Sequence, residues 1–439
     1  MDKNGLKREV GLMGALSTVV GTVIGAGVFF KIASMAERTG SANLIILAWI
    51  LAGTFTVAGG LTVAELATMF PETGGAVKYL EKAYGGLVGY LFAWIQTLIY
   101  YPASIAALAI IWATQFTNLF GMKQGNNIIF ISLIILVSII ALNSLGTRVA
   151  SFSQSLFTVL KLIPIALIII FGLLSKAEVH FSLFPFTAGK DINFVTGLGG
   201  AIVASMFAFD GWIGVGNIAG EMKHPERDLP KAIIGGLSLI MFIYIAISFV
   251  MLKFMPVEAI AGNKNTASEV AQMIFGNFGG KLVTIGILIS VYGAMNGYTF
   301  SAVRVPYTIA LEENLPKYKF FQKLNRFSSP FNASLIIGVM SSLMILTKQF
   351  DMLTDLVIFV TWGFSLLLFI SVFKFRKTMP NANRPYKVIG YPLVPIIAIV
   401  GALYIMYSSL TTNFTLSMIG IGATLLGIPA YYLTVKNKK

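Results

Sequence analysis

Long apolar runs alternate with short polar connections along the whole chain, and the runs are long enough for helices that cross a bilayer. They predict about twelve spans, near residues 10–36, 42–69, 86–118, 126–144, 148–175, 195–219, 231–253, 278–310, 331–348, 351–373, 391–411 and 414–435. The stretch "PETGGAVKYLEKAYGG" between spans 2 and 3 mixes Lys, Glu, Tyr and Gly, which predicts a short helix lying at the membrane interface. No Ser/Pro-rich linker or low-complexity tract interrupts the pattern, so residues 1–439 read as one transmembrane domain. The fold class is all-α, polytopic.

Two spans carry interruptions. "VVGTVIGAGVFF" in span 1 holds Gly21, Gly25 and Gly27, and "SMFAFDGWIGVG" in span 6 sets Asp210 beside Gly211, with Gly214 and Gly216 following. The breaks lie five spans apart, and an odd repeat places its second copy upside down in the bilayer. Inverted repeats are therefore expected over about 10–175 and 195–373, with helices 11 and 12 over about 391–435.

Unwinding a helix in lipid frees backbone N–H and C=O groups that need partners. After Gly25, a restarted half-helix aims the amides of Ala26, Gly27 and Val28 into the break, where its positive dipole end favours a carboxylate. Carbonyls near Val23 and from Phe207 through Ala208 to Asp210 accept an ammonium group. Such a pair of breaks suits an α-amino acid headgroup. The alternative for the glycines is close packing of neighbouring helices, although packing alone does not call for an aspartate at the midplane.

Intramembrane charge adds further candidates. Lys161 lies 13 residues after Arg148, about 20 Å up the helix, too deep to snorkel, and is expected to donate to freed carbonyls inside the bundle. Asp210 has three possible roles: pairing with Lys161, contacting substrate, or contributing only its carbonyl. Glu65 and Arg304, near the inner ends of spans 2 and 8, read as paired or snorkelling groups and as candidates for a cytoplasmic gate. Phe207, beside the second break, is a candidate gate over bound substrate, and with Tyr100 it fills pocket volume, which favours small substrates.

The formal net charge of +14 raises the question of nucleic acid. Twenty-one of the 32 Lys and Arg fall on the side of the N-terminus and nine on the other. That asymmetry predicts cytoplasmic termini and accounts for the charge through topology and anionic lipid, with no nucleic-acid partner. No removable leader is expected, and the first span itself directs insertion. Cysteine is absent, so disulfides and Cys-ligated metals are excluded. His180 and His224 fall in loops without clustered carboxylates, which argues against an enzyme; no metal and no cofactor are expected.

On these motifs the chain resembles the amino-acid/polyamine/organocation transporters, and within them the L-type amino acid transporters. "GTVIGAGVF" is similar to that family's first-helix glycine motif, and "FAFDGWIGVGNIAGEMKHPERDLPKAI" to its sixth-helix break and following loop. "ELATMFPETGGA", "WIQTLIYYPASIAALA" and "SAVRVPYTIALEENLP" resemble its second-, third- and eighth-helix segments. The resemblance implies the leucine-transporter-type 5+5 inverted-repeat fold and sodium-independent exchange of neutral L-amino acids across the plasma membrane by alternating access. It carries carboxylate-binding amides onto Gly25, Ala26 and Gly27, amine-binding carbonyls onto Val23, Phe207 and Asp210, and the aromatic gate onto Phe207. Lys161 resembles a fifth-helix lysine that stands where sodium-coupled relatives bind an ion. Two departures stand out. "NLFGMKQGNN" lacks the cysteine that joins animal members to a glycoprotein, so no disulfide-linked partner subunit is expected, and Asp210 replaces a usual small residue. Proton-coupled symport, and transport of cationic amino acids or polyamines with Asp210 as counter-ion, are the competing readings.

Overall fold

The computed structural model describes residues 11–70, 74–176, 179–212, 222–311, 315, 317–327 and 329–434, without the side chains of residues 147, 148 and 151. Among the described residues the chain is helical, with no strand. Among the described residues nine helices have the length and hydropathy to cross a membrane, a bent pair makes a tenth span, and Phe194–Met206 and Phe331–Ile345 are shorter apolar helices. Together they match the twelve apolar segments. This is the economical answer to lipid, because a helix satisfies its backbone within itself.

Span 1 comprises Leu12–Val23 and Gly27–Thr39, bent by 47° at the break. Span 2 is Ala42–Met69, and the connection to span 3 folds as the helix Gly75–Tyr84. Span 3, Gly86–Leu119, changes to a π-helical turn over Gln96–Tyr100. Pro102 follows immediately. Lacking an N–H, it cannot bond the carbonyl of Leu98, and the wider turn accommodates the mismatch. Both Tyr100 and Tyr101 consequently turn toward the protein interior, ring centroids 4.7 Å apart.

Span 5 is likewise divided, into Thr147–Leu160 and Leu162–Leu174, with Lys161 at the joint and Pro164 just beyond. Span 7 is Pro225–Phe254. Span 8 continues from Thr266–Ala302 into Arg304–Leu311. Gly276, at φ 71°, separates a short outer helix from the span proper, which is why the apolar pattern begins near 278. Span 10 is Phe350–Thr378, followed by Leu393–Thr412 and Phe414–Thr434.

The two broken spans lie together. The second half of span 1 packs on span 6, its first half on span 7, span 2 on span 7, and span 3 on span 8. Large apolar side chains such as Phe130, Val137, Phe152, Val159, Phe242 and Leu343 are exposed on the periphery, where lipid tails replace water. Polar chemistry is left to the interior.

Candidate functional site

In span 1 the first half-helix ends where the Ile24 amide bonds the Val20 carbonyl at 3.1 Å, and the second begins with the Phe29 amide on the Ala26 carbonyl at 3.0 Å. Gly25 and Ala26 form the break between them. The amides of Ala26, Gly27 and Val28 precede that first intrahelical bond, as at any helix start. Lys161, buried in span 5, donates its ammonium to the carbonyls of Gly21 at 2.5 Å and Ile24 at 2.6 Å. Gly21 permits this approach, since a Cβ there would stand 3.1 Å from Thr158, one turn before Lys161. The cation therefore meets the exposed carbonyl end of the first half-helix, where the helix dipole is negative.

Span 6 loses its α-helix after Met206. Ala208, Phe209 and Asp210 make tighter bonds to the carbonyls three residues back, at 2.9, 3.1 and 3.3 Å. Gly211 then takes φ +97°, a conformation that strains any side chain, facing the Thr22 carbonyl of the first break. Residues 213–221, including Gly214, Gly216 and the expected restart of the helix, lie outside the described residues. Phe209 anchors the turn by packing against Trp49 of span 2 and Tyr244 of span 7, at 5.9 and 5.1 Å between centroids.

Gly27 and Gly25 behave differently. A Cβ on Gly27 would lie 2.5 Å from the Cα and Cβ of Ala208, so its missing side chain lets the two breaks touch. Close packing is thus the physical demand at Gly27. At Gly25 a Cβ would meet the Ala294 methyl at 3.4 Å and the Val23 carbonyl oxygen at 4.0 Å, both ordinary contacts. The backbone there is open to a ligand.

Asp210 does not bond Lys161. Its Oδ2 accepts from the hydroxyls of Tyr100 at 2.7 Å and Tyr298 at 2.6 Å, tying span 6 to spans 3 and 8. Tyr244, which sequence reasoning missed, donates to the Ala208 carbonyl at 2.7 Å and reaches the Val23 carbonyl at 3.3 Å. It bridges both breaks. Each carbonyl oxygen retains a second lone pair, so an ammonium can still be accepted at Val23.

A vestibule of about 1150 Å³ runs from Gly21, Thr22, Gly211 and Ala294 to Lys78, Tyr84 and Arg304, which belong to the face rich in Lys and Arg. Above it is a hollow of about 10 Å³ lined by Thr22, Val23, Gly25, Ala26, Gly27, Leu108, Phe207, Ala294 and Tyr298. That is room for roughly one water. Thr22, Ala294 and Tyr298 line both spaces, so the break region adjoins the vestibule through them.

Beyond Phe207 the route is filled. Phe207 meets Phe350 edge-on at 5.9 Å, with the Lys31 ammonium 5.4 Å from its ring. Lys31, fully buried, donates to Asp351 at 2.8 Å and Thr354 at 2.5 Å, and Lys264 pairs with the other oxygen of Asp351. Arg38 pairs with Asp355 at 2.5 Å. Lys31 is one of the nine basic residues counted on the side opposite the N-terminus, and it is buried there. The molecule is open toward the basic face and shut toward the other.

Glu65 is buried and accepts from Arg376 at 3.0 and 2.6 Å and from the Val388 amide at 2.8 Å, with Arg384 at 3.4 Å. It lines neither cavity. Its contacts brace span 2 against span 10 and the connection to span 11. Arg304 does line the vestibule, its guanidinium 3.4 Å from the Phe300 ring.

A bundle of bilayer-length helices in which a broken helix meets the unwound end of another at a polar junction is the arrangement of a membrane transporter of small solutes. The family model for amino acid permeases matches residues 10–431, and the chain belongs to that family. It is 39% identical to the serine/threonine exchanger SteT of Bacillus subtilis (strain 168) over all of this chain and 99% of that one. It is 29% identical to the human large neutral amino acids transporter small subunit 2, over 98% of this chain and 81% of the relative. With the human cystine/glutamate transporter it shares 27% over 99% and 86%.

Proposed function

We propose that the protein exchanges small neutral L-amino acids, serine and threonine among them, by alternating access to a site between the two breaks. The carrying observation is the meeting of those breaks: a helix start at Ala26 to Val28, next to carbonyls at Val23 and Ala208, beside a vestibule. Amides and carbonyls so close together match the two ends of a zwitterion. The likeness to a serine/threonine exchanger over essentially full length supports exchange and small substrates. Leu108, Phe207, Ala294 and Tyr298 leave little volume for a side chain, which agrees with that choice.

In this reading Gly25, Ala26 and Gly27 hold the carboxylate, Val23, Phe207, Ala208 and Asp210 offer carbonyls to the ammonium, and Phe207 closes over the substrate. Lys161 supplies a fixed positive charge to the first break, which supports transport without a sodium ion. The site lies in the cell membrane, with both termini cytoplasmic and the vestibule facing inward. The chain works as a transporter rather than an enzyme, and without a disulfide-linked subunit. The two breaks belong to inverted repeats over about 10–175 and 195–373.

Purified protein in proteoliposomes tests the reading. Labelled serine is expected to enter rapidly only when unlabelled serine or threonine is present inside, and to be indifferent to sodium. Equal uptake into empty vesicles would reject exchange.

A further inference from the structure

We propose that the hydroxyls of Tyr100 and Tyr298 form a charge filter, capping the Asp210 carboxylate so that substrates with cationic side chains are refused. The inference rests on the amino acid exchange reading above and concerns the selectivity of that same site.

A midplane carboxylate beside a substrate path is an obvious counter-ion for a guanidinium or ammonium side chain. Here it is already engaged. Oδ2 of Asp210 accepts from both phenols. Among the described residues no Lys, Arg or His pairs with it, since Lys161 is spent on Gly21 and Ile24. Asp210 is absent from the lining of both cavities, whereas Tyr100 lines the vestibule and Tyr298 lines both. The phenols therefore stand between the charge and the substrate, their ring centroids 6.1 Å apart.

Their placement is held from behind. Tyr100 sits on the π-helical turn ahead of Pro102, and Tyr298 follows Ala294 by four residues, on the same face of span 8. A cationic side chain entering this space would have to part the two phenols to reach the carboxylate. Failing that, it would leave its own charge unpaired. A neutral side chain faces neither cost. Selectivity of this kind is a repulsive element built into the site rather than an added attraction.

The test uses full-length protein in proteoliposomes, with labelled arginine and labelled serine as probes, for Tyr100→Phe, Tyr298→Phe and the double variant. The ratio of arginine to serine uptake is expected to rise about tenfold in the double variant, the change that one charge-assisted hydrogen bond commands. It should rise less in each single variant and return to the parent ratio when Asp210→Asn is added. A double variant that still exchanges serine with the ratio unmoved overturns the filter, as does a rise that survives Asp210→Asn. Should the double variant transport nothing, arginine binding to the purified single variants is read by thermal shift. A shift larger than in the parent protein is expected, and its absence overturns the proposal. A parent protein that exchanges no neutral amino acid would instead reject the exchange reading, while arginine binding still reads the filter.

Discussion

The two breaks solve one problem with opposite charges. In span 1 a cation, Lys161, donates hydrogen bonds to two freed carbonyls; in span 6 an anion, Asp210, accepts them from two phenols. Both charges are buried, and both reach their break from, or tie it to, helices outside the interrupted pair. The difference teaches that the carbonyl end of the first half-helix invites a cation, whereas the tight turn of the second, with Gly211 at positive φ, bonds the Ser205, Met206 and Phe207 carbonyls within itself and is tied to its neighbours by the Asp210 side chain. The cation sits behind the substrate hollow and the anion behind its phenols, so neither charge is bare to a zwitterion. Tyr244, bonded to carbonyls of both breaks, couples the two solutions.

Gly27→Val attacks both at once. With Ala208 only 2.5 Å from the new Cβ, the half-helices must part, and overpacking of this sort costs about 1–3 kcal/mol or more. Exchange should vanish while membrane insertion persists, measured by serine counterflow against the amount of protein in the vesicles. Lys161→Ala comes next. It strips the partner from two buried carbonyls, and a loss of roughly 2–3 kcal/mol corresponds to a fall in exchange of about 30- to 150-fold. Normal exchange in this variant would reduce the lysine to packing. Asp210→Asn should cost less, about five- to tenfold, because the amide oxygen still accepts from a hydroxyl. If it cost more than Lys161→Ala, the anion and not the cation would be the stronger support. Gly25→Ala should be mildest, raising KM for serine by about two- to fivefold, since the methyl makes only ordinary contacts yet intrudes on the proposed carboxylate site.

Much of this was written legibly in the chain. The twelve apolar runs are long and carry few charges, so their helices follow from the cost of unsatisfied backbone in lipid. Lys161 could be assigned to freed carbonyls because its depth forbids snorkelling. The choice among partners for Asp210 was not legible, because it depends on a π-helical turn that rotates Tyr100 and Tyr101 inward, and on Tyr298 approaching from nearly 90 residues away. The Lys31–Asp351 and Arg38–Asp355 pairs left a fainter signal: two cations seven residues apart ending span 1, and two aspartates four apart beginning span 10. Each spacing keeps its charges on one helical face. Complementary faces on helices that end on the same side of the membrane would have suggested the closure. For Gly27, sequence could not separate an open backbone from a close contact, and only the position of Ala208 does so.

The central claim is that an amino acid occupies the space where the two breaks meet. The absence of native cysteine allows a single thiol to report on it. Ala294→Cys places that thiol between the vestibule and the hollow, and Ser301→Cys places one further along the vestibule wall. The rate of modification by a small thiol reagent should fall with saturating serine at position 294 and stay unchanged at 301. Equal rates at position 294 with and without serine, in protein that still exchanges it, would contradict the account.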